Sequence, residues 1–329
     1  MKAVRLACNA MGTRFELALY GGDAVRLRGA GEEAITEIGR LHNDLSSFRP
    51  QSQIGRVNAE ASTGPVRVTQ ELFSLLTDVR LLSDMTDGAF DVTVAPLLVA
   101  WGFRDEVMGR PDERTIAEAL ARVGFQHVLL NAGERSVSFG RPGMRLDLGG
   151  VGKGYALDVA TDVLRSGGVT CALIHGGTST VRTIGLNPEG KPWKIGVRRP
   201  FAGDGEDLLD LVELQNKAMS VSAVSGRFFE ADGDVYGHVI DPRTGYPARD
   251  ADLAVVFAPS AMEADALSTG LLVLGEAGVS MLESRVEGFQ GASFHRKAVV
   301  ATSSQVTSPG CARLHLSLPA LVDKAFRRA

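Results

Sequence analysis

The sequence has 329 residues, a net charge of −4 and 44% hydrophobic residues, enough for one large domain or two intertwined lobes of ordinary size. Its slightly acidic balance excludes a general nucleic-acid or anionic-membrane surface, so an anion site here must draw on local charge or a bound cation. Cys8, Cys171 and Cys311 lie far apart without a C-x-x-C pair, which excludes a disulfide framework or zinc knuckle and leaves buried or idle thiols.

The opening Met1-Lys-Ala-Val-Arg-Leu-Ala-Cys8 leaves no room for the apolar core of a signal peptide. Arg5 stands where a lipoprotein cleavage site needs an apolar residue, so a cytoplasmic location is expected. No run of transmembrane length is read, and membrane insertion is not expected.

Phe15, Leu17 and Leu19 alternate within Met11–Tyr20 and end at Gly21-Gly22, predicting a strand and turn. Ala34, Ile35, Ile38, Leu41 and Leu45 share one helical face that should end near Ser46-Ser47. Thr69 caps a second helix carrying Leu72, Leu75, Leu76, Val79 and Leu82. Thr86–Phe103 is too rich in Gly and Pro for a plain helix and too apolar for a solvent loop. Pro111-Asp112 starts a short helix ending at Gly124, and strands follow near His127–Asn131 and Ser136–Phe139.

The segment Met144–Asp158 passes from strand to glycine loop to helix. Met144, Leu146 and Leu148 alternate with Arg145 and Asp147 as in a half-buried strand, four glycines and Lys153 follow, and from Tyr155 apolar residues recur at helical spacing until Gly167-Gly168. A phosphate can approach such a helix N-terminus, where bare backbone, the helix dipole and Lys153 all favour negative charge. A tight turn with a solvated lysine fits equally. Asp147 and Gly154 occupy positions that exclude a Walker A loop, and no G-x-G-x-x-G is spelled.

Further strands are predicted at Cys171–His175, Val181–Gly185, Trp193–Arg198, Leu208–Leu214, Ala218–Ala223, Tyr236–Asp241 and Asp252–Pro259, with an exposed hairpin tip at Ala202–Asp207. A helix over Glu263–Leu274 should stop at Gly275, with strands at Phe289–His295, Ala298–Thr302 and Leu314–Leu318. On that helix Leu267, Gly270, Leu271 and Leu274 form the buried stripe, and Asp265 and Thr269 stack one turn apart on solvent-facing surface.

Asp265 and Thr269 offer two hard oxygen donors suited to Mg²⁺ completed by carbonyls, water and substrate phosphate; a solvated acidic face is the plainer alternative. His238 lies in a strand entering a Pro/Gly turn, as a core hydrogen bonder or a general base. His42, His127, His175, His295 and His315 show no ligand spacing, and no G-x-S-x-G elbow presents a nucleophilic serine.

Taken together, Met11-Gly-Thr13, Leu45-Ser-Ser-Phe48 with Ser52 and Asn58, Asp87-Gly-Ala-Phe-Asp91, Pro96-Leu97, Trp101-Gly-Phe103, Leu146–Asp158, Gly176-Gly177, Ser225-Gly226, His238–Gly245 and Ala264–Thr269 form an ordered series from about Met11 to Gly275. That series resembles the FAD:protein FMN transferases, the ApbE-type flavin transferases. The resemblance implies one α+β unit of two intertwined, duplicated lobes related to the tunnelling fold, with mixed or antiparallel sheets and packed helices. It further implies that FAD is the substrate, that Mg²⁺ sits at its pyrophosphate, and that FMN passes to a threonine or serine of an acceptor protein with release of AMP. Some relatives instead hydrolyse FAD to FMN and AMP, and a non-catalytic FAD-binding protein of the same fold is the remaining alternative.

By resemblance, Met11, Phe48, Ala89, Phe90, Asp91, Gly149, Tyr155 and Ile240 contact FAD. Asp265 and Thr269 hold the metal through side chains, with Gly152 and Ser268 supplying carbonyls. Lys153 can share the electrostatic work of phosphoryl transfer. His238, near Ile240 and able to titrate near neutral pH, is the candidate general base, with Asp241 or a substrate phosphate as the alternatives. The chain departs from the usual family pattern in three places: Phe48 replaces a common tyrosine, Thr178 follows Gly176-Gly177, and Val224 precedes Ser225-Gly226.

Overall fold

A computed structural model describes residues 2–104, 107–200, 208–295 and 298–301. Cys311, His315, the expected tip at Ala202–Asp207 and the expected strand at Leu314–Leu318 lie outside the described residues or largely so.

The chain opens with a strand that its sequence does not announce. β1 (Lys2–Ala10) pairs antiparallel with β2 (Thr13–Gly21) through a two-residue turn at Met11-Gly12, both at positive φ (50° and 73°). Val4 and Ala10 of β1 are buried and Leu6 and Cys8 half-buried, while the residues between them are exposed, the pattern of an edge strand with one face on the core. α1 (Ala24–Asp44) and α2 (Gln53–Glu60) follow, then β3 (Val66–Arg67), α3 (Gln70–Met85), α4 (Ala95–Ala100), α5 (Glu113–Leu120), β4 (Val128–Asn131) and β5 (Ser136–Phe139). Thr69 caps α3 and Asp112 caps α5, as expected from the sequence. α2 was not foreseen; Ser52 Oγ caps it by accepting from the Gly55 N–H at 2.8 Å.

The second half contains α6 (Gly152–Ser166), β6 (Ala172–Gly176), β7 (Thr180–Ile184), β8 (Trp193–Arg198), β9 (Leu208–Leu214), β10 (Ala218–Ala223), β11 (Phe228–Ala231), β12 (Asp234–Gly237), β13 (Leu253–Ala258), α7 (Ala261–Arg285), β14 (Gln290–His295) and β15 (Ala298–Ala301). One sheet runs β1-β2-β6-β7-β10-β13-β14-β15, with every neighbouring pair antiparallel. The architecture is α+β.

β13 shows how the layers form, because all six of its residues are buried. Ala254, Val256 and Ala258 face the core shared with α1, α6 and α7. Leu253, Val255 and Phe257 face the opposite side, where the β8–β9 hairpin supplies Val197, Val212 and Leu214. Each large apolar side chain buried this way contributes about 1.5–3 kcal/mol. A third cluster at one end joins α4, α5 and the β11–β12 hairpin around Trp101, whose Nε1–H donates to the Gly245 carbonyl at 2.8 Å.

α7 corrects two expectations. It continues past Gly275, which kinks it at φ 62°, because Gly278, Val279 and Leu282 keep an apolar face buried beyond that residue. It is also long and apolar enough by composition to cross a membrane. Its packing against β10, β13, β14 and α6 is that of a core helix.

Candidate active site

The segment before the glycine loop keeps its alternating burial, with Met144, Leu146 and Leu148 inside, yet it forms no strand. A side chain stands in for the missing neighbour. Asn58 of α2 accepts from the Leu146 N–H at 2.6 Å and donates to the Leu146 carbonyl at 3.0 Å, while the Asp147 N–H donates to the Val92 carbonyl at 2.6 Å. Asp147 Oδ1 then accepts from the Gly149 N–H at 2.6 Å, fixing the turn into α6.

The first turn of α6 meets the first turns of α7, and the two helices cap each other. The Gly154 N–H donates to Asp265 Oδ2 at 3.1 Å. One turn along α6, Asp158 accepts from Ser260 Oγ at 2.7 Å and from the Ala261 and Met262 N–H groups at 2.8 and 2.9 Å. Each helix N-terminus therefore carries a carboxylate from the other, the sign its dipole favours. Gly154 permits the approach, since a Cβ there would run into the Ala261 carbonyl. The anion held by the glycine loop in this structure is the protein's own Asp265.

Asp265 is not on solvent-facing surface, as its helical position had suggested, but 3% exposed. The reason is β10, whose Ala218, Ser220 and Ser222 alternate toward α7 and bring hydroxyls to it. Ser220 and its cross-strand partner Thr180 donate to Asp265 Oδ1 at 3.2 and 3.3 Å. Lys153 Nζ lies 3.4 Å from Asp265 Oδ2 and donates to the Gly149 carbonyl at 3.2 Å.

Toward the open edge, Ser222 Oγ lies 2.9 Å from Ser268 Oγ and 3.4 Å from Thr269 Oγ1. Ser268 and Thr269 both donate to the Asp265 carbonyl at 3.0 Å. This is an oxygen-only set built on one carboxylate, fitting a hard divalent ion that keeps waters and takes further oxygens from a phosphate, and unsuited to a soft metal. Among the described residues no group of three His, Cys, Asp or Glu side chains forms a metal cage.

Other expected residues ring the glycine loop. Phe90 is buried beneath Gly150, with Cε2 3.4 Å from where a Cβ would stand, and Met11 Sδ lies 3.8 Å from the same point on Gly152. The Met11 N–H donates to His42 Nδ1 at 3.1 Å, giving that histidine a positioning role the sequence did not reveal. Phe48 is 73% exposed, and the Arg104 guanidinium lies 4.1 Å over its ring. Arg104 also pairs with Asp147 and donates to Ser47 Oγ at 3.0 Å, tying Phe48 to the loop that carries Gly149.

Four expected contact residues turn their side chains elsewhere. Asp91 accepts from the Thr93 N–H and Oγ1–H and the Phe125 N–H, and burial raises its pKa. The Tyr155 hydroxyl donates to Glu71 at 3.3 Å, Ile240 is buried in the cluster around Trp101, and Ala89 packs with Ala248 and Val273.

His238 is half-buried, with its Nδ1 3.2 Å from the Arg227 carbonyl and 3.3 Å from the Arg227 N–H, so that its tautomer decides which of the two it bonds, and its ring edge-on to Phe103. Burial pulls its pKa below the ordinary 6.5, and the nearby Lys153 charge adds to that. The ring is therefore mainly neutral at neutral pH.

The sequence profile of the ApbE family matches residues 11–291. The chain belongs to the ApbE family. A Vibrio cholerae relative named FAD:protein FMN transferase is 34% identical over 250 residues, 73% of each chain, and an Escherichia coli K12 relative of the same name is 32% identical over 80% of this chain and 76% of its own. Among solved structures, the Thermotoga maritima ApbE protein superposes with a TM-score of 0.84 at 30% identity, covering 92% of this chain and 97% of that one. The Pseudomonas stutzeri flavinyl transferase ApbE gives 0.78 at 29% identity, covering 92% and 95%. In this ApbE-family chain Met11, Asn58, Phe90 and the Leu146–Asp158 and Ala264–Thr269 segments meet around the α6–α7 junction, while Leu97, Trp101, Phe103 and Ile240 pack in the neighbouring cluster around Trp101. Asp158, Thr180, Ser220, Ser222 and Arg104 were not singled out. The available signal was Ser220-Val-Ser222, hydroxyls on alternate positions of an otherwise apolar strand.

Proposed function

We infer that this ApbE-family chain is an Mg²⁺-dependent transferase that moves FMN from FAD to a threonine or serine hydroxyl of an acceptor protein and releases AMP. The name shared by its relatives supports the class of reaction. The observation that carries the site assignment is the meeting of Asp265, Thr269 and Lys153 at the N-terminus of α6.

Asp265 and Thr269 would hold the ion by their side chains, with Gly152 and Ser268 at hand through backbone oxygens. When bound, the ion would neutralise charge on the pyrophosphate as AMP departs. Lys153 and the glycine-loop backbone bind and orient the diphosphate. Phe90 and Met11 close the loop's inner side against water, and Phe48 with Arg104 offers a flat face at its rim.

The acceptor hydroxyl oxygen forms a bond to the FMN-side phosphorus as the bond from that phosphorus to the bridging oxygen breaks. In the tautomer whose Nδ1–H donates to the Arg227 carbonyl, rather than the one whose Nδ1 accepts from the Arg227 N–H, His238 Nε2 carries the lone pair that takes the hydroxyl proton, and AMP leaves with the bridging oxygen. Incubation with FAD and Mg²⁺, with and without acceptor and EDTA, tests this reading. AMP that appears with the acceptor, disappears with EDTA and is matched by protein-bound flavin supports it. AMP matched by free FMN alone points to hydrolysis, and flavin binding without AMP to a binding protein.

A further inference from the structure

Lys153 pairs with the carboxylate to which the divalent ion is assigned above. Its ammonium makes the one ion pair of Asp265 among the described residues, at 3.4 Å from Oδ2, and its side chain is only 20% exposed. The other side-chain partners of that carboxylate, Thr180 and Ser220, are neutral hydroxyls, and its backbone partner is the Gly154 N–H. An ion coordinated by Asp265 and an ammonium on the same oxygen compete for the same lone pairs and repel each other at close range.

Lys153 is free to leave without disturbing the fold. Its second contact is the Gly149 carbonyl on the loop itself, and its four-carbon stem can swing while its backbone stays in the first turn of α6. Without an ion, Asp265 and Lys153 balance. Once a divalent ion enters, the site has an excess of two positive charges, matching the two negative charges of a dinucleotide diphosphate.

We propose that Lys153 is an internal counter-ion of Asp265 which the divalent ion displaces, and that the freed ammonium then engages the FAD diphosphate, so that metal and FAD bind cooperatively. The proposal rests on the metal reading given above and assigns to one lysine the coupling between two ligands. By linkage, the factor by which the ion tightens FAD is the factor by which FAD tightens the ion.

The test uses the full chain freed of metal and flavin, with Mn²⁺ as probe. Free Mn²⁺ is followed by electron paramagnetic resonance, with and without FAD and in the absence of acceptor. In the wild type, FAD should tighten Mn²⁺ by about tenfold, and Lys153→Met without FAD should bind Mn²⁺ about tenfold more tightly than wild type. Lys153→Met should also bind FAD more weakly and lose most of the coupling. Lys153→Gln provides a second neutral side chain, and the unfolding midpoint of both variants checks that they fold. If either folded variant binds Mn²⁺ no more tightly than wild type without FAD, while Asp265→Asn abolishes Mn²⁺ binding, the counter-ion proposal fails and the metal reading stands. If Asp265→Asn binds Mn²⁺ like wild type, the metal reading fails and takes the proposal with it.

Discussion

Asp158 and Asp265 cap each other's helices: Asp158 of α6 accepts from the first N–H groups of α7, and Asp265 of α7 accepts from the Gly154 N–H of α6. The exchange fixes the angle and depth at which the glycine loop meets the hydroxyl row of β10. The geometry of the site is thus a property of two helix ends and not of either alone.

Asp158→Ala should remove three hydrogen bonds at the α7 N-terminus and lower stability by about 1–2 kcal/mol, as for loss of a good helix cap. It also deprives the buried Arg182 of the carboxylate 3.7 Å from its Nε. With α7 no longer seated on α6, KM for FAD should rise as well. Asp158→Asn, which keeps an acceptor oxygen, should recover most of the stability in urea titrations.

Gly154→Ala should be destabilising by about 1–3 kcal/mol, because the added Cβ meets backbone rather than a yielding side chain. In an exposed helix the same change would stabilise by about 1 kcal/mol. The sign of the shift in unfolding midpoint therefore reports whether the two helices touch as described.

Asp265→Ala should cost both activity and stability. Removing the carboxylate takes the acceptor from the buried Gly154 N–H, leaves Thr180 and Ser220 with only each other and Lys153 with only the Gly149 carbonyl, about 1–3 kcal/mol for the group left unpaired. Asp265→Asn keeps the shape and should fold nearly as well, while turnover falls at least about 100-fold through lost charge at the diphosphate. A solvent-facing Asp265 would have given no stability change in the alanine variant.

How much of this was legible in the chain follows from the range of each contact. α1, α3, α5 and α6 announced themselves through apolar spacing and caps such as Thr69 and Asp112, which act within a few residues. The alternation of β1 rests on small or weakly apolar residues such as Ala10 and Cys8, and α2 and β11 did not announce themselves because their order comes from partners such as Leu146 and β12 rather than from their own pattern. The burial of Asp265 was invisible for the same reason. Its partners lie 45 residues away at Ser220 and 111 at Gly154, and the Leu267–Leu274 stripe accounts for one face of a helix buried on several. The motif series still ran through the segments that meet at the α6–α7 junction, since glycines and hard oxygens are conspicuous side-chain choices wherever they stand.

Turnover should depend on neutral His238. Burial and the Lys153 charge lower its pKa from 6.5, so the acid limb of the rate profile should have its midpoint below that value, activity being lost as pH falls through it and the ring protonates. In His238→Gln the limb should vanish along with most of the rate. A wild-type midpoint at or above 6.5 would contradict the assignment.

The central claim, that Asp265 at the α6 N-terminus serves flavin transfer, is tested most directly by incubating the purified chain with FAD, Mg²⁺ and lysate of its own host and imaging flavin fluorescence on a denaturing gel. The account predicts a covalently fluorescent band whose appearance tracks AMP release, absent with EDTA and absent with folded Asp265→Asn. Equal labelling by wild type and Asp265→Asn would contradict it.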